Sequence, residues 1–166
     1  TRSFQTREVQ VQTPLETTSG QCLSRSTVAV PILRAGLSML QPVVDLLPDL
    51  KVGYIGLERD ENTSEAQAYY SKLPDLQGQE VLLLDPMLAT GGSTKVALRQ
   101  IYAQGAGSVK MITIVSSPEG VESVGQEYPE LPVFTASLDR CLDERKYIRP
   151  GLGDFGDRLY GTGYHS

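Results

Sequence analysis

The residue types best suited to chemistry in this sequence lie in a small-residue loop that begins with an acid, Asp85, and ends at Ser93. An apolar run at 81–84 precedes it, typical of a strand buried on both faces, and helix-compatible spacing follows over 93–103. Glycines let backbone N–H groups approach a ligand closely, and the start of a helix favours a phosphate. A carboxylate at the strand tip can accept hydrogen bonds from sugar hydroxyls. The segment predicts a phosphate-sugar site, although Thr-Gly-Gly-Ser alone is equally compatible with a simple turn and helix cap.

A second candidate is Arg34, which follows an apolar run and precedes Gly36. A guanidinium is always charged and presents a fork that matches paired phosphate oxygens. The alternative is a solvated surface residue, which is the commoner situation for arginine.

Two further segments are open to a functional or a structural interpretation. The polar stretch 58–67, which contains Arg59, is either a functional loop or a solvated connection. The stretch 147–162 contains G-x-G-x-x-G at Gly151, Gly153 and Gly156, but the chain ends ten residues later. A dinucleotide fingerprint needs a βαβ unit around it, so the pattern indicates a glycine-rich terminal loop instead. The charge run 143–146 is interpreted as a solvated face.

Strand-like and helix-like segments alternate along the chain. This alternation predicts right-handed crossovers and an α/β fold with a mostly parallel central sheet flanked by helices. Ligands in such sheets bind beyond the carboxyl ends of the strands, where the candidate residues lie. The predicted strands are 9–12, 27–32, 51–57, 68–73, 81–84, 109–116 and 133–138, and the predicted helices are 37–47, 93–103 and 118–128.

Length and composition bound the class of protein. With 166 residues, the chain is predicted to form a single domain over 1–166. The net charge of −5 argues against a broad nucleic-acid surface. Two isolated cysteines, no apolar run of membrane length and no signal-peptide pattern indicate a reduced, cytoplasmic protein without a membrane partner. Because the chain begins with Thr1 instead of Met, we interpret its start as processed or truncated.

Four motifs together resemble the type I phosphoribosyltransferase family, in the form of its uracil-specific branch. Asp-Pro-Met-Leu-Ala-Thr-Gly-Gly-Ser at 85–93 resembles the loop that binds phosphoribosyl pyrophosphate (PRPP), and Leu84 replaces the first of two acids, as in the uracil branch. Pro-Ile-Leu-Arg-Ala-Gly at 31–36 resembles the pyrophosphate loop, whose backbone is often strained. The stretch around Arg59 resembles the flexible catalytic loop, and 147–158 resembles the uracil-recognition segment. The resemblance implies a small hood formed by the C-terminal segment.

The resemblance also implies roles for individual residues. Arg34, Arg59 and Asp85 are the expected catalytic residues, and Asp154 is expected near PRPP or its metal-bound water. Magnesium is expected as cofactor, held through PRPP and water without protein ligands of its own. The expected PRPP-binding residues are Arg34, Arg59, Asp85, Pro86, Met87, Leu88, Ala89, Thr90, Gly91, Gly92, Ser93 and Asp154. The expected uracil-binding residues are Ile148, Gly153, Asp154 and Phe155.

The activity implied by the resemblance is conversion of uracil and PRPP to uridine monophosphate (UMP) and diphosphate. A homo-oligomer is also implied, and some relatives respond to a purine nucleotide, which makes GTP a candidate effector. The chain departs from the family at Ala66, where proline is common, and at Phe155, where alanine is usual. The resemblance implies that the family's N-terminal helical segment is largely missing before Thr1, which bears on oligomer contacts and on full activity. The alternatives are a catalytically silent PRPP-binding or uracil-binding protein, and a pyrimidine-sensing RNA-binding regulator, against which the acidic balance argues.

Overall fold

A computed structural model of the chain describes residues 4–59 and 66–162, with the side chain of Arg59 left out. Within these ranges the strands are β1 Thr6–Gln12, β2 Thr17–Leu23, β3 Thr27–Leu33, β4 Lys51–Val52, β5 Tyr54–Arg59, β6 Ala66–Lys72, β7 Glu80–Leu84, β8 Met87–Leu88, β9 Ser108–Ser116, β10 Val133–Leu138, β11 Cys141–Leu142 and β12 Ile148–Arg149. The helices are α1 Leu37–Leu46, α2 Gly92–Ala103, α3 Pro118–Glu127 and α4 Phe155–Tyr160.

The central sheet has the strand order β10-β9-β7-β3-β5-β6, with β4 beside β3 and β8 beside β9. All of its pairs are parallel except β5 with β6, which pair antiparallel at one edge. The predicted α/β fold with a mostly parallel sheet is therefore confirmed.

Different helices pack on the two faces of the sheet, because successive side chains of each strand point to opposite faces. On one face, Val28, Val30, Val81 and Leu83 pack with residues of α2 and α3. On the other, Ala29, Leu82 and Leu84 pack with residues of α1. Every residue of β7 is buried, as expected for a strand covered on both sides.

The helices leave the sheet on opposite faces at two adjacent strands. β3 pairs directly with β7, and α1 follows β3 on one face while α2 follows β7 on the other. Such a change of direction opens a crevice at the carboxyl ends of the two strands. Arg34 and Asp85 lie at those two ends, so the topology brings both candidate residues to the same crevice.

Several elements differ from the sequence prediction. The stretch predicted as one strand over 51–57 is divided into β4 and β5. The polar strand β2, which pairs with β1 outside the central sheet, was not predicted. The short pair β11 and β12 and the six-residue helix α4 were also missed, since a glycine-rich loop was expected there. No helix in the described part of the chain is long and apolar enough to span a membrane.

Candidate active site

An open cleft of about 700 Å³ lies at the carboxyl ends of β3 and β7. Its walls come from five separate stretches of sequence: the end of β3 with the loop after it, the end of β5, the middle of β6, the loop after β7 and the C-terminal segment. The residues lining it are Ile32, Leu33, Arg34, Ala35, Leu57, Glu58, Tyr69, Asp85, Met87, Ala89, Ser93, Arg145, Lys146, Tyr147, Ile148, Gly153, Asp154, Phe155, Gly156 and Asp157.

Asp85 stands at the tip of β7, where its backbone N–H donates to the carbonyl of Ile112 at 3.2 Å. Its Oδ1 accepts a hydrogen bond from the N–H of Met87 at 3.3 Å. Burial raises the pKa of Asp85 to about 7, and the bond from Met87 opposes the rise. The carboxyl group therefore titrates near neutral pH, which is unusual for an aspartate and common in functional sites.

The loop after Asp85 is anchored on one side and open on the other. β8 holds Met87 and Leu88 parallel to β9, and Gly91 has φ 81°, a left-handed conformation that favours glycine. Ala89 and Ser93 line the cleft, whereas Pro86, Leu88 and Gly91 are buried behind it. Thr90 and Gly92 belong to the loop without lining the cleft.

The backbone of this loop has donors to offer. Within the described residues, the N–H groups of Ala89, Thr90, Gly91 and Ser93 have no hydrogen-bond acceptor, and that of Gly92 reaches only the Thr90 hydroxyl at 3.4 Å. These groups lie at the start of the twelve-residue helix α2. The arrangement suits an anionic group such as a phosphate.

Arg34 directly follows β3, the strand that pairs with β7, and the peptide bond between Leu33 and Arg34 is cis. The expectation of an unusual backbone in this loop is thus confirmed. The exposed guanidinium forms an ion pair with Asp157 at 3.0 Å and donates to the hydroxyl of Thr162 at 3.2 Å. The ring of Tyr160 lies 5.8 Å from the guanidinium carbon, and its hydroxyl donates to the carbonyl of Arg34 at 3.2 Å.

Asp157 is itself held in the charged form. The Thr162 hydroxyl, which donates to it at 2.6 Å, and the Arg34 guanidinium lower the pKa of Asp157, while partial desolvation acts in the opposite direction. The C-terminal helix α4 is therefore bound to Arg34 through Asp157. The sequence alone did not predict this contact, because the two residues are more than 120 positions apart.

The expected uracil-binding segment forms one wall of the cleft. Ile148 is buried in β12, Gly153 has φ 70°, and Phe155 is half-buried at the start of α4. Phe155 is also one of the residues that line the cleft.

Asp154, for which a contact with PRPP is expected, also lines the cleft. Its Oδ1 accepts from the N–H of Asp157 at 2.9 Å, so the side chain caps α4. The contact with PRPP stays a prediction.

The charge run 143–146 is more than a solvated face. Arg145 and Lys146 are exposed, as predicted, yet both line the cleft beside Tyr147. Asp143 organises this turn, because the N–H of Tyr147 donates to its carboxylate at 2.9 Å and lowers its pKa. The sequence carried no signal for this placement, since only the fold returns the segment to the sheet end.

Arg59 closes β5, and the expected mobility of its loop falls on 60–65, outside the described residues. The neighbouring Glu58 and Tyr69 do line the cleft. Among the described residues, no group of three or more histidine, cysteine, aspartate or glutamate side chains could hold a metal ion.

The fold that carries this cleft, a mostly parallel sheet with helices on both faces, is shared with solved phosphoribosyltransferases. A purine phosphoribosyltransferase from Pyrococcus horikoshii shares the fold with a TM-score of 0.52 at 20% identity, over 55% of this chain and 62% of its own. A solved structure from Aquifex aeolicus has a TM-score of 0.92 at 41% identity, over 97% of this chain and 78% of its own.

Sequence comparison narrows the class. The sequence model of the family described as uracil phosphoribosyltransferase matches residues 1–162. Uracil phosphoribosyltransferases from Dictyoglomus turgidum and Clostridium botulinum are each 47% identical over 164 residues, which is 98% of this chain and 79% and 78% of the relatives. The chain belongs to the uracil phosphoribosyltransferase family.

Proposed function

We propose that this protein transfers the phosphoribosyl group of PRPP to uracil, giving UMP and diphosphate. The observation that carries the proposal is the cleft itself, which joins the phosphate-type loop, Arg34 and the uracil-type segment at one switch point. Membership of the uracil phosphoribosyltransferase family identifies uracil as the acceptor base. Neither a silent binder nor an RNA-binding regulator is favoured by a specific feature of the cleft.

Asp85 is proposed to hold the ribose hydroxyls. Asp85 lines the cleft at the end of a buried strand, and its Oδ1 accepts from the N–H of Met87, so its second oxygen can accept from a sugar hydroxyl. This role requires the ionised form. Because the pKa is about 7, the use of PRPP should increase as the pH rises through neutrality.

The 5′-phosphate is assigned to the backbone donors of the loop from Ala89 to Ser93. Their N–H groups and the start of α2 provide partial positive charge without a basic side chain. This explains how a protein with net charge −5 can bind a polyanionic substrate.

Arg34 is proposed to stabilise the departing diphosphate, together with Arg59 once the catalytic loop closes. Breaking the bond at the anomeric carbon develops oxocarbenium character on the sugar and negative charge on the leaving oxygen. A preorganised guanidinium opposite that charge lowers the barrier. Two observations support this role: Asp157 and Thr162 accept hydrogen bonds from the Arg34 guanidinium, and the ring of Tyr160 lies 5.8 Å from the guanidinium carbon.

Uracil is proposed to lie against the wall formed by Ile148, Gly153, Asp154 and Phe155. The base presents two carbonyls and ring N–H groups, which main-chain donors and acceptors can match without a charged side chain. Phe155 contributes apolar surface at this wall.

Magnesium is proposed to enter the cleft together with PRPP. Because the described residues contain no cluster of ligands, the diphosphate oxygens and water would supply most of its coordination, with Asp154 as a carboxylate nearby. When bound, the ion neutralises charge on the leaving diphosphate.

Three finer properties are proposed from the resemblance. A homo-oligomer is proposed from the resemblance, and Leu15 and Leu46, at 96% and 80% exposure, are apolar side chains available for such contacts. GTP as an effector and a cytoplasmic location rest on the resemblance and on the two isolated cysteines, respectively.

The decisive experiment is a spectrophotometric assay of uracil with PRPP and Mg²⁺, with UMP identified as the product. Cytosine and hypoxanthine in place of uracil are the controls for base specificity. Binding of PRPP and uracil without formation of UMP would support the silent-binder alternative instead.

A further inference from the structure

A single buried serine, Ser117, contacts two consecutive carbonyls of the phosphate-type loop. It lies between β9 and α3 with no exposed surface. Its N–H donates to the carbonyl of Leu88 at 2.9 Å, and its hydroxyl donates to the carbonyl of Ala89 at 2.6 Å. The same hydroxyl oxygen accepts from the N–H of Gly120 at 2.9 Å, as the cap of α3.

These contacts set the direction of the loop's N–H groups. In a trans peptide the carbonyl and the following N–H point in opposite directions. The Leu88–Ala89 and Ala89–Thr90 peptides are not among the cis bonds of the described residues. With both carbonyls turned toward Ser117, the N–H groups of Ala89 and Thr90 are turned away from it. Successive N–H groups pointing the same way form a concavity that binds anions.

Close packing of α3 against the loop supports the same orientation of the Ala89–Thr90 peptide. A side chain on Gly120 would overlap the carbonyl oxygen of Ala89, so only glycine lets α3 approach the loop this closely. Gly91 is also enclosed, because a Cβ there would meet the side chain of Val124 at 2.7 Å. The loop is therefore held by α3 as well as by its own strand.

We propose that Ser117 is a positioning residue for the 5′-phosphate of PRPP: its hydroxyl fixes the Ala89–Thr90 peptide so that the Thr90 N–H faces the phosphate. The inference rests on the proposed function, since it assigns the ligand of this loop. Ser117 touches no substrate. Its hydroxyl acts only by orienting the Ala89–Thr90 peptide. Removing the hydroxyl should therefore weaken phosphate-sugar binding and leave uracil binding unchanged.

The test compares Ser117→Ala with Ser116→Ala, a matched control. Ser116 is the adjacent residue and is equally buried, but its hydroxyl bonds with the hydroxyls of Thr113 and Thr135 and contacts no carbonyl of the loop. Calorimetric Kd for ribose 5-phosphate, KM for PRPP and for uracil, and urea unfolding are measured on both variants.

We expect Ser117→Ala to raise the Kd for ribose 5-phosphate and the KM for PRPP about fivefold, the effect of one lost hydrogen bond. The KM for uracil should stay within about twofold. Ser116→Ala should destabilise the fold without changing either phosphate-dependent constant. Ser117→Thr, which keeps a hydroxyl and the capping function, should restore them.

Equal phosphate-dependent constants in Ser117→Ala and the wild type would overturn the inference, as would equal losses in Ser116→Ala. If the Thr variant does not fold, the comparison of the two alanine variants decides. A wild type that binds ribose 5-phosphate yet forms no UMP would contradict the proposed function while leaving the Ser117 test intact.

Discussion

Replacement of Asp85 by asparagine should separate the stability of this protein from its activity. The side chain keeps its size, and the amide oxygen can still accept from the N–H of Met87. What disappears is the ionisable group, whose pKa burial raises from 3.8 to about 7. A folded-state pKa above the unfolded one stabilises the protein at low pH, and this stabilisation is lost as the pH rises toward 7.

The size of the effect follows from linkage. The difference between 3.8 and about 7 corresponds to ~4 kcal/mol when fully developed, and ~2.5 kcal/mol of it falls between pH 5 and pH 8. The Asn variant does not titrate here. The difference in free energy of unfolding, variant minus wild type, should therefore grow by ~2.5 kcal/mol from pH 5 to pH 8.

Urea unfolding of the unliganded protein at pH 5, 6, 7 and 8 measures this difference. Asp45→Asn, on the exposed side of α1, controls for the loss of one negative charge. In the UMP assay at pH 8, kcat/KM for PRPP of Asp85→Asn should fall about tenfold or more, the value of a hydrogen bond to a charged group. A stability difference that is flat across these pH values would refute the argument from burial, and unchanged turnover would remove Asp85 from the site.

The remaining predictions concern the other walls of the cleft. Phe155→Ala should change the KM for uracil while UMP still forms in the same assay; loss of all turnover would assign the ring a larger role. Arg59→Ala should lower kcat about a hundredfold without weakening uracil binding measured by calorimetry, because its charge is needed only as diphosphate departs; an unchanged kcat would exclude it. Tyr160→Phe removes the bond to the Arg34 carbonyl and keeps the ring, so inhibition by diphosphate should weaken about threefold; an unchanged inhibition constant would show that the hydroxyl does not orient Arg34.

Most of the sheet could be predicted from the sequence because its strands are buried and strongly apolar. The predicted strand over 27–32 and helix over 93–103 differ from β3 and α2 by one residue at one end. β2 could not be found, since its polar residues show no buried pattern and its partner β1 sets its conformation. α4 has six residues among glycines and depends on the Asp154 cap, which no periodicity reveals.

The candidate site was predictable where a residue follows a buried strand. Arg34 and Asp85 end neighbouring strands, so parallel topology alone brings them together. Arg145 and Lys146 reach the cleft only through the return of the chain after β11. The contact of Ser117 with Ala89 spans 28 residues and depends on the distance between a loop and a helix, which spacing along the chain does not encode.

The bond between Arg34 and the C-terminal helix restricts how this enzyme family's scaffold can be redesigned. The helix that carries Asp157 and Tyr160 begins at Phe155, inside the wall assigned to the base. A graft of this segment from a protein that recognises another base would import new contacts for the base and new partners for the leaving-group arginine at once. Base preference and turnover are therefore expected to change together in chimeras, unless Asp157, Tyr160 and Thr162 are retained from the original chain.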